Sequence, residues 1–360
     1  MPDILLFGAT GYTGKLTAHA LYERGADFAV AGRDPEKLKE LAGAVGNPEV
    51  RVAGAGDIEA LTAALHDVKV MITCVGPFVE LGWTAAEAAL NAGVHYIDST
   101  GEGEFIAHLL EQVDVRAQSA GIAMAPAMGF DEVPADVAAT LATDGMDEPE
   151  LALTYALPGS GSRGTTKSAL GIVASKGPWI EDGRTVLISA GDHSRWSPMP
   201  PPLGPRQAAS FPFSVGRLLP LHLELRSMRL YATMGAPQRG ALRAIVPLIR
   251  AGHALPGGRG VLERAVDTLQ RQEGPTDALR TSKWTILAEA RDKHTWRNVA
   301  LMGTDVYGLT ASLLAAGAQR MAAPDYDRTG VVAPVTAMGL EWLEKRLADE
   351  GVSVSTWGPT

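Results

Sequence analysis

Short apolar runs alternate with longer stretches of helical periodicity through the first 125 residues of the chain. The runs Ile4–Phe7, Phe28–Ala31, Val50–Val52, Val68–Val75, Val94–Ile97 and Ile122–Ala125 read as strands. Between them, Tyr12–Arg24, Pro35–Ala42, Ile58–Leu65, Gly82–Ala92 and Gly103–Ala120 read as helices. Strands and helices alternating at this spacing predict a parallel sheet with right-handed crossovers. Strands covered by helices on both faces are apolar throughout instead of at every second position, and Ile4-Leu5-Leu6-Phe7 fits that description. The expected fold class is therefore α/β, with a doubly wound parallel sheet of six strands.

The texture changes after Gly129. Leu151–Leu157, Ser227–Met234 and Trp284–Arg291 read as strands, and Gly240–Ala251 and Val261–Gln272 as helices. Between them lie a Gly/Ser/Thr-rich segment, residues 159–168, and the proline-dense tract Pro198–Pro205, which suits a lid over a cleft or an exposed loop. The expected organisation is a first domain over residues 1–130 and a second, α+β domain over 131–303 for substrate binding or dimerisation. Two amphipathic patterns, Thr304–Ala322 and Pro334–Ala348, fall in a C-terminal part over 304–360.

Composition narrows the class. A formal net charge of −9 gives no support to a general nucleic-acid or membrane-surface role, although arginines cluster between Arg184 and Arg297 and leave room for a local basic patch. Cys74 is the single cysteine, so no intramolecular disulfide can form. Met1-Pro2-Asp3-Ile4 lacks the pattern of a leader peptide, and no apolar run reaches the ~18–20 residues that span a bilayer. A cytoplasmic protein without a transmembrane segment is expected. No His-Glu-x-x-His, paired cysteines or Gly-x-x-x-x-Gly-Lys-Ser/Thr occurs, so neither a metal site nor a kinase-type phosphate loop is expected.

The strongest local signal is Gly8-Ala9-Thr10-Gly11-Tyr12-Thr13-Gly14, which follows the first strand and opens the first helix. That context turns a weak glycine motif into a dinucleotide fingerprint, and the sheet into a Rossmann-type one. Gly8 permits the tight turn, Gly11 lets the backbone approach a pyrophosphate, and Gly14 lets helix and strand pack closely. The anion would lie at the helix N-terminus, among free N–H groups. Arg33 stands 19 residues after Gly14, where the ribose-reading residue belongs. Asp34 reads as the N-cap of the next helix, with Pro35 at its first position. Arg33 is then left to meet a 2′-phosphate, with Lys37 adding charge, which selects NADPH. The rival reading has Asp34 bond the ribose hydroxyls of NAD.

Two further strand ends face the expected cofactor. Strand four ends in Cys74-Val75-Gly76-Pro77-Phe78, a sharp turn that leaves backbone and an aromatic ring beside the nicotinamide path. Cys74 itself reads as a small buried residue more readily than as a nucleophile. Strand five ends in Asp98-Ser99-Thr100-Gly101-Glu102, whose polar groups either contact ribose or substrate or cap the following helix. Asp131 is a cap or a cleft residue. None of the seven tyrosines has Lys four positions on, so the catalytic pair of short-chain dehydrogenases is missing.

Taken with Ala31-Gly32-Arg33-Asp34, Tyr96–Glu102 and Gly129-Phe130-Asp131-Glu132-Val133-Pro134-Ala135-Asp136, these motifs resemble the saccharopine dehydrogenase-like reductases, particularly their trans-acting enoyl reductase branch. Weaker echoes occur at Gly164–Ser168, Tyr307–Ala311 and Gly330–Pro334. The resemblance implies NADPH, with Arg33 near its 2′-phosphate, Cys74–Phe78 near nicotinamide, and Thr100 and Gly101 in the cofactor pocket. It also implies C-terminal helices that return to the first domain. The activity implied is hydride transfer to a conjugated C=C bond of a polyketide-type small molecule, free or bound to a carrier or synthase. Charge then develops on the conjugated oxygen and needs a donor. Tyr155, Arg163, Thr166 and Lys167 flank the loop leaving the first strand of the second domain and are the candidates; Tyr155, Arg163 and Lys167 are the catalytic set. Reduction of a C=N bond, as in saccharopine-type chemistry, and a non-catalytic NADPH-binding regulator are the alternatives. A homodimer is a candidate assembly.

Overall fold

The structure, a computed structural model, describes residues 1–157, 171–254 and 281–359. It falls into two compact units, Met1–Val133 with Val306–Trp342, and Pro134–Asp305 with Leu343–Thr360.

In the first unit β1 (Ile4–Phe7), α1 (Tyr12–Glu23), β2 (Phe28–Gly32), α2 (Pro35–Ala44), β3 (Glu49–Val52), α3 (Ile58–Ala64), β4 (Val70–Thr73), α4 (Phe78–Ala92) and β5 (His95–Asp98) alternate as expected. Gly103–Ala120 is one helical run in which a π turn, Leu109–Val113, joins α5 (Gly103–His108) to α6 (Asp114–Ala120), ahead of β6 (Ala123–Ala125). All pairings in this sheet are parallel, with β1 hydrogen-bonded to both β2 and β4. Leu5, Phe7, Met71 and Tyr96 point to one face and join Leu61, Ala85, Ala89, Phe105 and Leu109 in the main core. Burying a leucine of this kind contributes about 2 kcal/mol.

The sheet has seven strands instead of the expected six. The seventh is the two-residue Gly330–Val331, which pairs with β6 after the intervening chain has built the other unit. Two residues are too few to show periodicity, so the sequence pattern could not mark it. The helix Val306–Met321 packs on α1, where Tyr12 and Tyr307 meet edge to face at 5.1 Å and Arg24 Nε donates to Gln319 Oε1 at 2.9 Å.

The second unit opens with α7 (Val133–Thr143), whose first residue still belongs to the first. Its sheet has nine strands, built around β7 (Glu150–Ala156). The hairpin β8 (Lys176–Glu181) and β9 (Arg184–Ser189), then β10 (Ser194–Ser197), β11 (Arg206–Ser210) and β12 (Ser227–Thr233), precede β13 (Trp284–Arg291) and β14 (Trp296–Gly303). The last strand, Ser353–Trp357, pairs with β14. β7 runs parallel to β12 and antiparallel to β13. The pattern had marked only β7, β12 and β13. Gly177 and Pro178 interrupt β8, while β10 and β11 are short, and β10 is a polar edge strand. The proline tract between β10 and β11 leaves Pro198, Pro201, Pro202 and Pro205 exposed but is anchored at one point. Met199, 2% exposed, packs on Leu287 and Ala300 of the unit's own sheet, with Leu203 beside it. The helix expected over Val261–Gln272 lies outside the described residues.

Candidate functional site

The site is assembled at the carboxyl ends of β1, β2, β4 and β5, neighbours in the order β5-β4-β1-β2. Open parallel sheets bind their ligands at this end, because each strand there gives way to a loop and a helix N-terminus. Gly8 takes φ +79°, a backbone shape that only glycine adopts without cost. Its N–H and that of Ala9 both donate to Ala31 O, at 3.0 and 3.2 Å, which ties the turn to β2. A Cβ on Gly14 would stand 2.2 Å from Gly8 O and 2.9 Å from the Ala9 backbone, so the helix can start this close to the turn only without a side chain. Gly11 differs, because its missing Cβ faces nothing nearer than Gly8 O at 3.4 Å and the residue is exposed. Ala9 is fully buried, while Thr10, Tyr12 and Thr13 are half-buried.

The first helix turns contrast with one another. Asp34 caps α2, accepting from Lys37 N at 3.2 Å, and Asp57 caps α3, accepting from Ala60 N at 2.9 Å. Two N–H groups of α4 are taken by one buried carboxylate: Phe78 N donates to Glu102 Oε1 and Val79 N to Glu102 Oε2, both at 3.0 Å. On α1 no side chain caps the N-terminus and no acidic residue occupies the first turn. An open glycine face beside a helix start lacking both cap and acid fits a pyrophosphate, through the helix dipole and the outward N–H groups.

At the tip of β2, Arg33 is exposed and makes no hydrogen bond or ion pair with the described residues. Asp34 is occupied, since its Oδ2 also pairs with Lys37 Nζ at 3.6 Å. The Lys37 N–H bond, opposed by slight desolvation and helped by the Lys37 charge, holds the Asp34 carboxyl below its ordinary range. Of the two candidates for reading the ribose, Arg33 is the one with no partner among the described residues, while Lys37 pairs with Asp34.

Cys74 follows β4 with its N–H donated to Phe7 O at 3.0 Å, and Val75 sits against Gly8, whose missing Cβ would meet Val75 Cγ2 at 2.6 Å. Desolvation pushes the Cys74 thiol up to about 12, against a weak lowering by the Thr17 hydroxyl 4.0 Å away. A thiol that holds its proton this firmly is no nucleophile. The Gly76–Pro77 peptide is cis, Gly76 is exposed, and the Phe78 ring is buried against Phe105 at 5.7 Å.

Beyond β5, Thr100 is fully buried and its Oγ1 accepts from Glu102 N at 3.1 Å, while Gly101 is half-buried. Asp98 organises this corner: Oδ1 accepts from Thr100 N at 2.8 Å and Ala127 N at 2.9 Å, and Oδ2 from Tyr96 Oη at 2.6 Å. Desolvation outweighs those three donors and raises the carboxyl to about 6. Neither Ser99 nor Thr100 caps the helix that follows; Glu102 is its N-cap residue, and its side chain serves α4 instead. Sequence reading saw Glu102 only as one polar group among several, because a cap reaching 24 residues back leaves no local spacing to find.

In the second unit Tyr155 is 1% exposed and stacks on Phe213, with ring centroids 3.8 Å apart and planes at 20°. Arg163, Thr166 and Lys167 lie outside the described residues. Asp131 is half-buried beside Gly129, in the loop leading to α7. Among the described residues no group of His, Cys, Asp and Glu could hold a metal ion, and no helix is long and apolar enough to cross a membrane.

The family described as saccharopine dehydrogenase NADP binding domain matches residues 4–124, the stretch that contains the loops after β1, β2, β4 and β5. Over residues 4–124 the chain is similar to that NADP binding domain. The resemblance drawn from the motifs is borne out, and so are the nicotinamide cofactor and its phosphorylated form. A trans-acting enoyl reductase of Mycobacterium leprae is 37% identical to this chain over 142 residues, covering 38% of this chain and 34% of the relative. A lipid droplet localized protein of Caenorhabditis elegans is 31% identical over 147 residues, with the same coverage. The alignments thus span about a third of the curated relatives, on the scale of the NADP binding domain. Over the whole chain, the saccharopine dehydrogenase (L-Glu forming) of Saccharomyces cerevisiae has the same fold, with a TM-score of 0.65 at 13% identity and full coverage of both chains.

Proposed function

We propose that the protein is an NADPH-dependent reductase that delivers hydride to the conjugated C=C bond of a polyketide-type enoyl substrate presented on a carrier or synthase. The observation that carries the reading is at the tip of β2, where Arg33 is exposed and unpartnered while Asp34 is occupied as a cap. An arginine fork suits a 2′-phosphate, and a carboxylate already bonded to its own helix is poorly placed to receive a ribose hydroxyl. The name of the mycobacterial relatives supports the enoyl half, and "trans-acting" fits a substrate brought by another protein.

When bound, NADPH supplies the hydride. The residues Gly8–Gly14 would hold its pyrophosphate, Arg33 and Lys37 its 2′-phosphate, and Cys74–Phe78 with Thr100 and Gly101 would border its nicotinamide. Glu102 fixes the Cys74–Phe78 turn from behind through Phe78 N and Val79 N. Tyr155 is too enclosed by its stack on Phe213 to act as a freely reached donor, and it serves as a wall of the substrate region.

The test is a fluorescence titration of wild type and Arg33→Ala with NADPH and NADH, followed by NADPH oxidation with crotonyl-N-acetylcysteamine and with a cyclic imino acid. Wild type should prefer NADPH, and Arg33→Ala should lose about tenfold to a hundredfold in NADPH affinity while leaving NADH unchanged, as expected for one charge-assisted bidentate contact. Equal binding of NADH that ignores Arg33 overturns the cofactor assignment. Turnover of the imine with none of the thioester moves the chemistry to C=N reduction.

A further inference from the structure

One face of the nine-stranded sheet holds a groove that the reductase reading leaves unused. Strand register puts Arg229 of β12, Ala152 of β7 and Glu289 of β13 in one row across that face. Adjacent strands lie roughly 5 Å apart, so the long side chains of Arg229 and Glu289 rise on either side of a single methyl group. The result is a hollow of about 570 Å³, within the size range of small-molecule sites. Every residue that lines it belongs to the second unit.

The charges around this hollow do not cancel. Glu289 is occupied, accepting from Arg195 Nη2 at 2.8 Å and from the Ser197 hydroxyl at 3.3 Å. Arg195 is fixed in turn by lying 5.6 Å over the Tyr231 ring. Glu150 is shared by two arginines: Arg291 donates to its Oε2 from Nε at 2.9 Å and from Nη2 at 2.6 Å, and Arg226 donates to its Oε1. Arg229 has neither hydrogen bond nor ion pair with the described residues. The hydroxyl of Ser227, two residues earlier on the same face of β12, has no partner among them either. Counting Arg226, four arginines meet two glutamates here, on a chain whose formal net charge is −9. Glu181, whose charge also reaches Tyr231, does not line the hollow.

An aromatic ring stands at the other side. Trp296 of β14 lies directly opposite Arg291, lines the same hollow and keeps 46% of its surface exposed. An indole left in water beside a cationic hollow suits the flat body of a ligand. Arg229 and Trp296 are three strands apart, roughly 15 Å between backbones, so a ligand longer than a bare phosphate is needed to touch both. A second copy packed face to face would instead set one positive hollow against another, which like charges oppose.

We infer that this groove binds a small organic oxyanion with a flat body, a phosphate monoester or a carboxylate, whose head is held by Arg229 and Ser227 and whose body lies on Trp296. The site is separate from the cofactor loops and does not depend on the reductase reading.

The test follows the Arg229 Nε–H and Trp296 indole N–H signals of the full chain by NMR, each assigned by its loss in Arg229→Gln and Trp296→Phe. The probes are 1-naphthyl phosphate, 1-naphthoate and inorganic phosphate. A naphthyl probe should move both signals with one Kd at or below about 1 mM, and inorganic phosphate only that of Arg229, more weakly. Arg229→Gln should weaken naphthyl binding, read at Trp296, about tenfold or more, and Ser227→Ala less. Arg33→Ala should leave these titrations unchanged. Tighter binding of the phosphate than of the carboxylate assigns the site to phosphate monoesters, and the reverse order assigns it to carboxylates. Signals unmoved by both naphthyl probes, or shifts that survive Arg229→Gln, overturn the site. A dimer in sedimentation that Arg229→Gln dissociates would show that a second copy covers this face, and it overturns the site as well.

Discussion

Asp98 is surrounded by three donors and exposes none of its surface, so two opposing effects act on one carboxyl group. The bonds from Tyr96, Thr100 and Ala127 favour the ion, burial favours the acid, and burial prevails, leaving the group near 6 against an ordinary 3.8. In the folded protein Asp98 therefore takes up its proton at higher pH than in the unfolded chain. From about pH 6 down to about pH 4 only the folded state binds the extra proton, so this group adds stability as pH falls, on the order of 2–3 kcal/mol in all. Urea unfolding of wild type and Asp98→Asn between pH 7.5 and 4 should show the wild type gaining on the variant as the solution is acidified. Parallel pH curves would discard the buried-acid assignment. The glycines separate in the same way. Gly14→Ala must push a Cβ into the Gly8 and Ala9 backbone and should cost about 1–3 kcal/mol or more. Gly11→Ala has room and should melt within a degree or two of wild type, yet bind NADPH at least tenfold more weakly. A Gly11→Ala variant with full NADPH affinity would mean that the cofactor does not approach that face.

Among the elements, what the sequence made legible divides by where the hydrogen-bonding partner lies. Strand β1, the start of α1 and the Asp34–Pro35 opening of α2 were readable because turn, cap and helix are adjacent in the chain. The Glu102 cap on α4, the seventh strand at Gly330 and the pairing of Ser353–Trp357 with β14 were not, because each joins residues far apart in sequence. Strands β8 to β11 failed for a different reason. Gly177 and Pro178 interrupt β8, and β9 to β11 are short with exposed positions among their apolar ones, so pairing with neighbouring strands places them more than a clean alternation of their own. The proline tract illustrates this, since its hold on the sheet comes through Met199 against Leu287 and Ala300. Truncating Met199 to Ala should cost about 2–3 kcal/mol in urea unfolding, because the prolines fix the loop and leave the cavity unable to collapse. NADPH affinity should be unchanged. A loss below ~0.5 kcal/mol would mean that the tract is held by its own backbone and not by this contact.

At the scale of the whole molecule, the nucleotide-binding unit is discontinuous: its sheet and helices are finished by Val306–Trp342, after the other unit has intervened. The dependence is physical, because Val306–Met321 is buried along nearly its whole length and packs on α1, the helix that follows the Gly8–Gly14 turn. Where it crosses the sheet, Gly317 lies so near Ile97, Met128 and Met338 that a Cβ would stand 2.8, 3.7 and 3.1 Å from their side chains. The contiguous stretch that matches the NADP binding domain, residues 4–124, therefore leaves out the helix that covers α1, and it is expected not to fold without it. A fragment of residues 1–133 should lack a cooperative thermal transition, bind a dye specific for exposed apolar surface, and show no NADPH binding. The same fragment joined by a short glycine-rich linker to residues 306–342 should recover both the transition and NADPH binding. If the fragment 1–133 alone melts cooperatively and binds NADPH like the full chain, the returning helix is only a cover. If the joined fragment also fails, the nucleotide unit depends on the rest of the chain for more than the helix it contributes.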